Sequence, residues 1–129
     1  MTLGRFCRDA QGASAVEFAI LALPFFMMLF GVIEGGRLLW TQIGLQHAVE
    51  TAARCASLKT VDNPNPCPGS SVEDYAAAQA YGLNLSPSVF TVSTAGCGTQ
   101  VIAKYPFNFF TNFLGPTQLN LSAQSCVPN

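Results

Sequence analysis

Any chemistry in this chain has to be assembled from few parts. Its 129 residues hold one histidine, five cysteines and seven carboxylate side chains. His47 lies between Gln46 and Ala48, and any Ser-His-Asp or Cys-His nucleophilic site would depend wholly on it. Glu17 and Glu34 stand at the two ends of an apolar run. On a helix they would be about 25 Å apart, too far for paired acid–base work. There is no phosphate loop and no nucleotide fingerprint. Asn84-Leu85-Ser86 and Asn120-Leu121-Ser122 match the glycosylation sequon, a pattern frequent by chance. The expectation is a protein that is not an enzyme, with no cofactor and no metal.

The cysteines point to stapling. Cys7 precedes the apolar run, and Cys55, Cys67, Cys97 and Cys126 all follow it. An even number on one side of a membrane segment suits two disulfides in an oxidising compartment. Of the three pairings that four cysteines allow, Cys55–Cys67 with Cys97–Cys126 is favoured, because each closes a short unit. Zinc is the rival. The four residues are widely spaced and include no C-x-x-C pair, which weighs against it.

The element that must position everything else is the apolar run. From Phe18 to Ile33 no side chain is charged, and these residues make roughly 24 Å of helix. With Ala13–Val16 before it and Leu38–Trp40 after it, the helix reaches bilayer length. Glu17, at the edge of the run, is costly beside hydrocarbon and so suggests a task. Arg5 and Arg8 precede the run and orient the N-terminus to the cytoplasm. A secretory signal peptide is the competing reading. The run exceeds the usual signal length, and Glu34-Gly35-Gly36-Arg37 follows it in place of a small-residue cleavage site.

A polar leader ending at Gly12, then Ala13, then Glu17 fifth after the glycine, resembles the processing site of type IV prepilins. The continuation from Glu17 through Pro24 to Gly31-Val32-Ile33-Glu34-Gly35-Gly36-Arg37-Leu38-Leu39-Trp40 is similar to the TadE-like pseudopilins of tight-adherence (Tad/Flp) pili. The likeness is strong over residues 10–58 and only one of pattern beyond. It implies cleavage between Gly12 and Ala13 by a prepilin peptidase, and a role for Glu17 in subunit assembly. The bland alternative is that Glu17 marks the water–lipid boundary and favours the positive end of the helix dipole.

The resemblance divides the chain into a cytoplasmic leader (1–12), a transmembrane helix (13–40) and an extracytoplasmic pilin-like domain (41–129). It implies a single-pass inner-membrane protein of a bacterium that enters a surface pilus after processing and serves pilus assembly and adhesion. Its expected partners are the peptidase, other pilin or pseudopilin subunits, the pilus inner-membrane platform and the lipid bilayer. The alternative is a membrane-anchored binding or scaffold protein that joins no filament. Half the residues are hydrophobic and only 10% are charged, with a formal net charge of −1. That balance offers no electrostatic reason to bind nucleic acid.

Beyond Trp40 the pattern becomes amphipathic. Leu45, Val49, Ala52, Ala53 and Ala56 recur at helical spacing, with Gln42, Gln46, Glu50 and Arg54 on the other face. One helix from 13 to about 58 is expected, half in membrane and half outside. Pro24 either simply kinks it or gives it a soft point. Gly31, Gly35 and Gly36 either allow close helix approach or are merely small.

The segment from Asp62 to Gly69 ends any helix. A second helix is expected over Val72–Leu83, capped by Ser71 and closed by Gly82. Strand patterns follow at Val89–Ser93, Gln100–Tyr105 and Leu119–Ala123, with a turn through Gly96 and Gly98. The fold class is α+β and pilin-like: a long N-terminal helix packed by a short helix and a small antiparallel sheet. The segment Phe107–Phe113, rich in phenylalanine, either caps the core or offers an apolar contact.

Overall fold

A computed structural model gives the structure of the chain and describes residues 12–110 and 118–128. The residues before Gly12, including Arg5, Cys7 and Arg8 of the expected leader, lie outside that range, as does Phe113. The order of elements is α1 (Ala13–Ala56), α2 (Val72–Gln79), a 3₁₀ turn (Pro87–Val89), β1 (Phe90–Ala95), β2 (Gly98–Asn108) and β3 (Gln118–Val127). The architecture is α+β. The chain divides into two compact units, one ending at Gly36 and the other running from Arg37 to Asn129; α1 supplies residues to both.

In the first unit α1 runs unbroken through Pro24. A proline removes one backbone hydrogen bond and crowds the preceding turn, yet a long run of good helix formers on both sides carries the helix past it.

The second unit has the core. Leu45, Val49, Ala52 and Ala53 are fully buried on one face of α1, the spacing that an amphipathic helix requires. They pack with Ala76 and Ala80, and with Phe90, Val101, Ala103, Phe107, Leu121 and Ala123 of the sheet. Alanines supply much of the buried helix surface, while Phe90 and Phe107 supply the largest side chains of the core. Full burial of a Leu, Val or Phe side chain contributes about 1.5–3 kcal/mol, so Leu45, Val49, Val101, Phe90 and Phe107 are major apolar contributors to the core. Polar reach adds to this: the Gln42 side-chain amide donates to the Ser122 carbonyl of β3 at 3.1 Å.

The sheet is antiparallel in the order β1-β2-β3. Alternation sets its register: Val101, Ala103 and Phe107 of β2 face inward, as do Leu121 and Ala123 of β3. A two-residue turn, Gly96-Cys97, joins β1 to β2, with Ala95 opposite Gly98. Gly98 rather than Gly96 is the constrained residue. Its φ is +122°, and an added Cβ would sit 2.3 Å from the Val127 carbonyl oxygen.

Several boundaries differ from the sequence expectation for physical reasons. α2 stops at Gln79 rather than Leu83, and Gly82 adopts φ +77° beyond it. This lets the chain turn back so that Leu83 and Leu85 pack on the core. β2 continues through Pro106 to Asn108, which the sequence placed in a connection. Proline is tolerated there because β1 pairs no further than Ala103, so at Pro106 only β3 lies alongside. β3 is likewise longer than Leu119–Ala123, because β2 offers a partner all the way to Val127.

Two disulfides staple this unit. Cys55, in the last turn of α1, joins Cys67 with Cα atoms 5.6 Å apart, and Cys67 is buried. The bond ties the proline-rich loop to the helix end. Cys97, in the β1–β2 turn, joins Cys126 of β3 across 6.3 Å. It clips the end of the third strand to the hairpin it flanks.

α2 is started by a reciprocal cap. The Ser71 hydroxyl accepts from the Asp74 amide at 3.1 Å and donates to the Asp74 carboxylate at 3.1 Å. The Ser70 hydroxyl also donates to that carboxylate. These donors, Ser70 foremost, hold the Asp74 carboxyl below the usual aspartate range.

Candidate functional site

In the first unit, the residues that the sequence resemblance marked for processing and assembly lie at the head of an open helix. Gly12 lies just before α1, exposed, with no atom within 4 Å of where its Cβ would stand. Ala13 begins the helix and Glu17 follows one turn later, both exposed. Residues four apart share a helix face, so Ala13 and Glu17 lie one above the other, separated by about 6 Å of rise.

Around and beyond Glu17 the helix is apolar on every side. Phe18 is 72% exposed, Leu21 69% and Met28 73%. The most apolar 18-residue window of α1 has mean hydropathy 2.3, and none of it is buried. By length and composition α1 can cross a membrane. An apolar surface of this extent on a soluble monomer would be far beyond the usual exposed patch. It requires lipid, other subunits, or each in turn.

Glu34 stands apart. It is 8% exposed, whereas Val32 and Ile33 are 64% and 50% exposed. The side chain is engaged rather than orphaned, as burial of a carboxylate demands. Sequence reading set Glu34 aside as too far from Glu17, although it is the only charged residue between Glu17 and Arg37. That isolation was the available signal.

Two other expectations can be placed. His47 is exposed, with its ring 5.9 Å from that of Tyr81. Cys55, Cys67, Cys97 and Cys126 are all consumed as disulfides. Among the described residues no three His, Cys, Asp or Glu side chains gather to hold a metal.

A largely apolar N-terminal helix, a candidate for a membrane span, together with a small disulfide-stapled α+β unit, sets the class of protein to compare with. Residues 12–54 match the family model described as TadE-like protein, so the match begins at Gly12 and spans most of α1. This is the family that the sequence resemblance indicated, matched here over about a third of the chain. No curated protein and no solved structure matches the chain.

Proposed function

We propose that this protein is a pilin-like structural subunit of a Tad/Flp-type pilus, acting in pilus assembly and adhesion. In this reading the leader is cytoplasmic, α1 is held in the inner membrane, and the stapled unit is extracytoplasmic. A prepilin peptidase cuts between Gly12 and Ala13. The processed chain then joins other pilin or pseudopilin subunits through the inner-membrane platform. The observation that carries this reading is the exposed run Gly12-Ala13…Glu17 at the head of an unburied apolar helix, within a segment that matches the TadE-like family.

The physical argument centres on Glu17. Cleavage would create an α-ammonium at Ala13, with an unperturbed pKa near 8. In a filament that charge would be expensive unless paired. A Glu17 carboxylate from an adjacent subunit neutralises it and sets the axial register, since a one-turn slip leaves both charges in hydrocarbon. The two disulfides need an oxidising location, which an extracytoplasmic placement of the stapled unit supplies.

The test is made in the intact chain expressed with its assembly machinery. The mature protein should lack Met1–Gly12 by mass, and Gly12→Val should retain them. Glu17→Ala should be inserted and cleaved yet fail to join or support filaments. A mature N-terminus elsewhere, for example after Gly36, would sink the processing reading. A cleaved Glu17→Ala chain that assembles like wild type would leave Glu17 as a mere boundary marker.

A further inference from the structure

The sheet of the stapled unit is open at both edges. β2 is paired on both sides, while β1 and β3 each have one ladder partner among the described residues. The turn Gly96-Cys97 closes on Ala95 and Gly98, and the closing pair of a two-residue hairpin exchanges both hydrogen bonds. Bonded pairs then alternate, so the backbone groups of Leu121, Ala123 and Ser125 point at β2. Those of Asn120, Ser122 and Gln124 point away from it, as do those of Val92 and Thr94 on β1. The Gln42 amide agrees with this assignment, because it donates at 3.1 Å to the Ser122 carbonyl, which the ladder leaves unused. Among the described residues no other group bonds the outer edge of either strand.

A row of unpaired N–H and C=O groups accepts a foreign strand, so exposed edges are normally guarded by a charge, a proline or a bulge. Here those guards are missing. Lys104, the only charged residue of the three strands, lies on the central one, and so does Pro106, their only proline. Both ladders keep an unbroken register, and β3 is 10 residues long. We propose that the sheet continues from copy to copy, with the outer edge of β3 in one subunit taking β1 of a second copy as a parallel strand. The inference deepens the proposed function and rests on its reading that subunits assemble from one membrane.

Backbone chemistry decides what such an edge holds: an extended segment with donors and acceptors at strand spacing. β1 of a second copy fits by direction. β1 and β3 are both antiparallel to β2, so they run the same way along opposite edges of the sheet. Copies that share a membrane share an orientation, and side by side they bring β3 of one against β1 of the next. Two β3 edges cannot meet in that arrangement, because an antiparallel pair of them needs one copy inverted by a two-fold axis. β1 also fits by charge, since neither strand carries any and no like-charge pair opposes contact. Exposed Thr91 and Ser93 then come beside exposed Asn120, Ser122 and Gln124, side chains that hydrogen-bond across strands. The contact joins unlike surfaces, so every added copy leaves one edge open for the next.

The test uses the full chain, expressed with its assembly machinery and carrying the photo-crosslinker p-benzoylphenylalanine at Gln124 of β3. Irradiation should give a product of twice the chain mass, and peptide mapping should place the new bond within Phe90–Ala95 of the other copy. The same reporter at Lys104, flanked on both sides by strands of its own sheet, should give about a tenth of that yield or less. Ser122→Pro removes one outward N–H and none that faces β2, a position where an edge strand tolerates proline. It should lower the Gln124 product about tenfold while the melting temperature of the stapled unit changes little. Thr94→Pro should do the same from the other edge.

A product that maps to β3 of the other copy would mean an inverted pair, and one formed with a different protein would mean another occupant; either overturns the proposal. Equal yields from Gln124 and Lys104 overturn it too, as does a folded Ser122→Pro chain with an undiminished product. Should Ser122→Pro fail to fold, Thr94→Pro and the mapped bond decide. Leader removal and filament joining are scored in the same cells. If the chain is cleaved and assembles but Gln124 never reaches β1 of another copy, the strand contact is refuted and the pilin reading stands. If it is neither cleaved nor assembled, the pilin reading falls and this inference falls with it.

Discussion

Leu21 and Leu45 lie on the same helix and meet opposite fates. Leu21, in the first unit, is 69% exposed, and Leu45, in the second, is fully buried. Helix propensity is equally good at both, so propensity does not explain the contrast. The pattern around each leucine does. Near Leu45 apolar residues recur on one face and Gln42, Gln46 and Glu50 occupy another, so the helix can hide one side under a sheet. Near Leu21 every face is apolar, and no single partner element could cover them all. A helix segment apolar all round belongs in lipid or deep within an assembly. One half of α1 thus contributes to a fold completed within the chain, and the other half waits for surroundings.

The largest effect should come from exchanging those two leucines for alanine. Leu45→Ala opens a cavity in the core and should destabilise the stapled unit by about 2–5 kcal/mol. Leu21→Ala should leave its melting temperature unchanged. Calorimetry or circular dichroism in detergent measures both, and a matched loss for Leu21→Ala would end the division into two regimes.

Removing the staples comes next. Replacing Cys97 and Cys126 by serine should cost about 3.5 kcal/mol, and replacing Cys55 and Cys67 about 3 kcal/mol, on the loop-entropy scale. Denaturant titration under non-reducing conditions reads the loss. Non-reduced peptide mapping that recovers four free thiols would show the staples to be absent in the cell.

Gly98→Ala sharpens the account of the hairpin. At φ +122°, with the Val127 carbonyl in the way, alanine should cost about 1–3 kcal/mol. Gly96→Ala meets nothing within 4 Å and should cost much less. Equal losses at the two positions would remove the assigned role of Gly98.

The smallest effect concerns the α2 cap. Ser71→Ala should destabilise the unit by about 1 kcal/mol. Because the Asp74 pKa is lowered on folding, its contribution is present above the unfolded value of about 3.9 and fades as pH falls through the folded value. The melting temperatures of wild type and Asp74→Asn should therefore differ at neutral pH and converge in strong acid. A difference that persists at the acid end would show that the carboxylate charge is not the cause.

Much of this protein could be read from local pattern. The apolar run, the switch to an amphipathic helix after Trp40, the inward face Leu45–Val49–Ala52–Ala56, the Ser71 cap and the strand periods all depend on residues a few positions apart. Periodicity and capping chemistry are short-range, so they survive in sequence. The Gly12–Ala13–Glu17 arrangement was legible for the same reason, its geometry being that of a single helix turn.

Other features were decided only when distant segments met. α2 gave up its expected last turn so that Leu83 and Leu85 could reach the core. β2 ran through Pro106 because β1 was already spent at Ala103, which no inspection of β2 alone could disclose. The phenylalanine segment was open between core and contact, and its described part divides: Phe107 is 3% exposed, Phe109 packs partly against the core, and Phe110 is 80% exposed. Alternation along β2 carries Phe107 inward, but the meeting of Phe110 with Arg37, more than seventy residues earlier in the sequence, depends on how the sheet lies on α1. Packing is a property of surfaces brought together from across the chain, and sequence spacing carries no record of which surfaces will meet.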